Sequence, residues 1–113
     1  MITILRENDA PKSFREKVAE FLARPPMPFI RFHGEPWWEG NTLRFRLRNG
    51  LPLDMLYGVY VTGDDGDYAE RPDHIGPFST DLWQLTFERR PIKVEIKVGL
   101  VPLEIQTDRR VVT

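Results

Sequence analysis

"TLRFRLRNG", Thr42 to Gly50, alternates without a break. Leu43, Phe45 and Leu47 fall on one side of an extended chain and Arg44, Arg46 and Arg48 on the other, because successive strand side chains point to opposite faces. Asn49-Gly50 then supplies a strong hairpin-turn signal, since both residue types tolerate the left-handed backbone such turns need. The stretch reads as a half-buried strand running into a turn, and it sets the expectation of a sheet protein.

Working outward, the same period of two recurs. Phe29 to His33 alternates briefly just upstream. Met55 to Val61 is apolar on both faces and reads as a more central strand. Leu82 to Glu88 places Trp83, Leu85 and Phe87 on one face. Ile92 to Val98 places Ile92, Val94, Ile96 and Val98 inward and Lys93, Glu95 and Lys97 outward. Gly99 then interrupts as a bulge or bend, after which Val101, Leu103 and Ile105 resume the pattern. Met1 to Arg6 is a short strand by its β-branched residues.

One segment has the helical period instead. Phe14, Val18, Phe21 and Leu22 share a face, while Arg15, Glu16, Lys17 and Glu20 lie opposite. Asp9 and Ser13 are candidate caps, Ser13 with Glu16 fits a capping box, and Arg24-Pro25-Pro26 stops the run. The expected fold is therefore α+β, mainly β. An N-terminal amphipathic helix over about 11–24 precedes about six short, mostly antiparallel strands in a sandwich or half-barrel. The chain, 1–113, forms one domain. Residues 63–80 (GDDGDYAERPDHIGPFST) read as a long irregular loop, and 107–113 as a loosely held or partner-ordered tail.

Between the strands 29–33 and 42–48 lies HGEPWWEGN, His33 to Asn41. Gly34, Pro36, Gly40 and Asn41 carry turn chemistry, so the stretch is a connection. Adjacent residues of an extended chain face opposite ways. One of Trp37 and Trp38 is thus expected to cap the core and the other to face outward.

Composition removes several functions. There is no cysteine, which excludes disulfides, thiolate zinc sites and a cysteine nucleophile. The net charge of −1 offers no global field for nucleic acid or membrane. No apolar run is long enough to span a bilayer, so synthesis as a soluble cytosolic protein is expected. Ser79, Asp73 and His74 are the residue types of a triad, but neighbours on one loop do not aim at one another in the required way. Glu35 and Glu39 flank the tryptophans, yet both lie in one turn of a small domain. Asp64, Asp65 and Asp67 do not match the spacing of a calcium loop, and turns favour Asp and Gly for backbone reasons alone. No enzyme activity, metal or cofactor is expected.

What remains points to assembly. The function expected is a non-enzymatic structural subunit packed in a larger homo- or hetero-oligomer with protein partners. By analogy of class it resembles the small virion proteins, tail or head-tail, of tailed phages, which would place it in a virion after cytoplasmic synthesis. The candidate interface residues are Trp37, Trp38, Arg44, Arg46, Arg48, Tyr68 and Phe78. The alternative is a small binding module that grips an anionic ligand or nucleic acid on the Arg44/Arg46/Arg48 face. These arginines project at intervals of about 6.6–7 Å.

Overall fold

The computed structural model describes residues 1–8 and 30–113. Nine strands run in chain order: β1 (Ile2–Asn8), β2 (Ile30–Phe32), β3 (Trp37–Glu39), β4 (Thr42–Asn49), β5 (Met55–Gly63), β6 (Tyr68–Ile75), β7 (Thr80–Phe87), β8 (Val94–Leu100) and β9 (Ile105–Val112). They form two sheets. Sheet A has the order β1-β7-β4-β2, with β3 also pairing β4, and sheet B the order β6-β5-β8-β9. Every pairing is antiparallel.

This corrects the α+β expectation. The described residues are all-β, with no helix among them, and nine strands replace about six. The helix expected at about 11–24 lies outside the described residues.

The period of two does what it should on the inner strands. β4 buries Leu43, Phe45 and Leu47 completely, β7 buries Trp83 and Leu85, and β8 buries Val94, Ile96 and Val98. Phe45 stacks on Trp83 (centroids 6.4 Å apart, planes 4° apart) and meets Phe32 at 5.4 Å. From sheet B, Tyr57, Val59 and Val61 face these rings, and the result is a sandwich with one core.

Other expectations shift. Asn49-Gly50 does not close a hairpin, because β4 lies in sheet A and β5 in sheet B. The turn chemistry is real but local: the Asn49 side chain accepts from Leu51 N–H at 3.0 Å. Its amide also donates to the carbonyls of Leu53 (2.6 Å) and Gly76 (3.0 Å), so a fully buried asparagine fastens the crossing between sheets. Residues 63–80 are not one long loop. Asp64 to Asp67 form a tight turn, with Gly66 at φ +83°, and β6 follows as an edge strand. Ile92 is not inward but 83% exposed, and Leu103 is 69% exposed in the turn before β9. Thr107–Val112, read as a tail, belongs to β9. Gly99 does sit at a bulge: Val98 opposes Asp108 and Gly99 opposes Gln106, which leaves Thr107 as the extra residue.

Candidate interaction surfaces

The two open sides of the sandwich are closed by side chains. Along β1 and β6, Arg6 is the hub. Its guanidinium donates to Asp81 at 2.9 Å and to the His74 carbonyl at 2.7 Å, and its Nε lies 3.2 Å from Asp73. Arg71 reaches Asp73 at 3.3 Å and the Ile4 carbonyl at 3.2 Å. The network continues inward. Asp81 accepts from the Tyr57 hydroxyl at 3.2 Å, which itself accepts from Trp83 Nε1 at 2.9 Å.

Burial raises the pKa of Asp81, and the Arg6 hydrogen bond only partly counters it. Burial, reinforced by the Asp81 charge, drives the Tyr57 hydroxyl well above its ordinary range. Arg6 keeps its charge because the hydrogen bond and charge of Asp81 outweigh the cost of burying it. Buried polar groups must be paired, and here the Asp81 carboxylate, the Tyr57 hydroxyl and the Trp83 N–H each have a hydrogen bond, while the Arg6 Nε faces Asp73 at 3.2 Å without one.

Along β2 and β9 the closure is sparser. Asp108 accepts from Phe32 N–H at 3.0 Å, and Arg110 lies over the Phe32 ring at 5.4 Å. The Nε of Arg110 is buried and has no hydrogen-bond partner among the described residues, and the same is true of Trp38 Nε1.

The tryptophans divide as parity requires. Trp38 turns inward, 5.8 Å from Phe87, and packs against the core under the Arg90 guanidinium at 4.7 Å. Trp37 turns outward beside the arginine ladder. Arg46 lies 4.8 Å over its ring, and its Nε1 donates to Glu39 at 3.1 Å. The other Glu39 oxygen pairs with Arg44 at 3.1 Å. So the ladder is committed in part to its own neighbours: Arg44 to a carboxylate and Arg46 to an indole face.

Tyr68 is 55% exposed on β6 and donates to Glu70 at 3.0 Å, whereas Phe78 is buried in the turn before β7 at φ +50°. Asp64 and Asp65 hold turn backbone, accepting from Ile92 N–H (2.6 Å) and Asp67 N–H (2.9 Å). Among the described residues no three His, Cys, Asp or Glu side chains gather in a metal-holding group. Ser79 donates to the Pro77 carbonyl in its turn, and on β6 the His74 backbone N–H donates to the Asp73 side chain, whose carboxylate also pairs with Arg6 and Arg71.

Sheet B carries a surface that alternation does not reveal. Gly58 and Gly99 lie opposite each other on its outer face. Gly99 floors a groove of about 260 Å³ between Tyr60, Lys97, Glu104 and Gln106. A Cβ on Gly58 would strike the Tyr60 ring, 2.6 Å from its hydroxyl, and one on Gly99 would lie 2.9 Å from the Ile105 carbonyl. Single glycines inside apolar strands were the available signal, but sequence spacing does not show that they are neighbours. The chain matches no known family model and no curated protein.

Proposed function

We propose that this chain is a non-enzymatic structural subunit that packs in a larger protein assembly. The observation that carries this reading is the exposure of four large apolar side chains towards one end of sheet B. Leu53, Leu56, Leu103 and Ile105 are 62%, 37%, 69% and 44% exposed. Val101 N–H donates to the Leu56 carbonyl at 3.2 Å, which fastens the turn before β9 beside the start of β5. The four residues therefore share one end of the sheet. Apolar side chains gathered at a surface gain free energy when a partner covers them. The small virion proteins of tailed phages are assemblies of this kind, and the proposal takes that setting by analogy of class.

A native mass measurement on the purified protein tests it. A defined oligomer, or a stoichiometric complex with an assembly partner, is expected. Leu103→Asp should dissociate that complex while changing stability by no more than about 0.5 kcal/mol, the usual scale for an exposed site. A wild-type monomer that binds no partner overturns the reading.

A further inference from the structure

We infer that β9 is an open docking edge that takes an added strand from a protein partner carrying acidic side chains. The inference deepens the assembly reading and rests on it. The register decides which backbone groups are free. Val101 N–H donates to the Leu56 carbonyl, so odd-numbered residues of β8 turn their backbone toward β5 and even-numbered ones toward β9. Arg109 and Val111 stand opposite Lys97 and Glu95. In an antiparallel ladder such positions point N–H and C=O away from the neighbouring strand; the Arg109 N–H is taken by the Asp108 side chain at 2.8 Å, which leaves the Arg109 carbonyl and the two Val111 groups for an added strand. Both residues are exposed. No described strand runs alongside them, because the facing edge of sheet A breaks between the end of β2 at Phe32 and the start of β3 at Trp37.

Natural sheets guard their edges, and the other edge of sheet B is guarded. There β6 carries Pro72 and is stitched to β1 through Arg6 and Arg71. β9 has no proline, and its side-chain contact with sheet A centres on Phe32.

Charge selects the occupant. Asp108 is committed to the Phe32 and Arg109 N–H groups, while Arg110 has an aromatic face beneath it, no carboxylate among the described residues, and a buried Nε without an acceptor. An incoming carboxylate supplies that acceptor. Pairing of two β9 strands centred on Arg109 or Arg110 sets like charges opposite each other, which disfavours it. Strand addition of this kind draws affinity from main-chain hydrogen bonds and specificity from the alternate side chains.

The test titrates an acetylated, amidated peptide of alternating Glu and Val into isotope-labelled protein and follows backbone amide shifts. Shifts centred on Val111 are expected, with a Lys-for-Glu peptide binding at least about tenfold more weakly. Val111→Pro removes an outward N–H without taking a bond from the β8 ladder, and Arg110→Glu reverses the charge. Each should weaken binding at least about tenfold. If the proline variant does not fold, the glutamate variant decides. Absent binding, equal binding of both peptides, or shifts centred on the groove at Gly99 overturns the inference. An oligomer that persists in both variants also removes the edge while leaving the assembly reading intact. A monomeric, partnerless wild type that takes the acidic peptide does the reverse.

Discussion

Trp83 on β7 donates its indole N–H to the hydroxyl of Tyr57 on β5, at 2.9 Å, and this bond joins the two sheets through the middle of the core. Neither partner touches solvent. The bond replaces water that neither group can reach, so its loss strands a donor in an apolar environment. Tyr57→Phe should cost about 1–3 kcal/mol of unfolding free energy in urea. In a double-mutant cycle with Trp83→Phe, the two losses should fall short of adding. Strict additivity would show that the two groups are not energetically coupled.

Asp81 predicts the sign of a pH dependence. Its pKa is raised in the folded state above the ordinary 3.8. The native state therefore holds this proton more tightly than the unfolded chain does. That contribution is fully present below pH 3.8 and is lost as the pH rises through the elevated folded value. The stability of wild type relative to Asp81→Asn should accordingly decline from about pH 3 towards neutrality. Denaturation curves at several pH values read this directly, and an advantage that grows with pH would contradict the assignment.

The paired glycines of sheet B should respond unequally to the same change. A methyl on Gly99 meets backbone, the Ile105 carbonyl at 2.9 Å, across a bulge that is already bent. A methyl on Gly58 meets the far end of the Tyr60 side chain, which can swing away. Gly99→Ala should cost about 1–3 kcal/mol and Gly58→Ala less than about 1. Equal costs would mean that the Tyr60 ring is held as firmly as the strand.

The adjacent tryptophans should separate in the same assay. Trp38→Ala removes a ring packed on Phe87 and the core and should cost about 2–4 kcal/mol. Trp37→Ala removes an outward ring that engages Arg46 and Glu39, and should cost about 1 kcal/mol. The reverse order would contradict the inward placement of Trp38.

These residues also show what the chain made legible. Leu43, Phe45 and Leu47, or Trp83 and Leu85, declare their strands because each is a core position on a half-buried face. β6 does not declare itself, because its inward positions include Arg71 and Asp73, which stitch a seam instead of filling a core. β9 fails for the same reason, with Asp108 and Arg110 facing the other seam. The error at Ile92 has a different origin. Alternation continues two residues past the strand, where Pro91 and the Asp64 contact shape a loop. Asn49-Gly50 signals a hairpin that does not form: the Asn49 side-chain oxygen holds the Leu51 N–H, and a dipeptide does not encode which sheet the chain enters next. The parity of Trp37 and Trp38 was legible because two adjacent extended residues have only two sides. The pairing of Gly58 with Gly99 and the direction of the β9 backbone were not legible, since both depend on a register set by other strands.

The side-chain closure of the sandwich bears on how it would carry a mechanical load. β1 belongs to sheet A and β9 to sheet B, and they border opposite seams. A pull applied between them has no continuous backbone ladder to follow. Among the described residues tension passes from one sheet to the other through discrete side-chain links: Arg6 to Asp73, Asp81 and Trp83 to Tyr57, and Phe32 to Asp108. Such a shell yields link by link and not in one shearing event, and its peripheral stitches are the first to part.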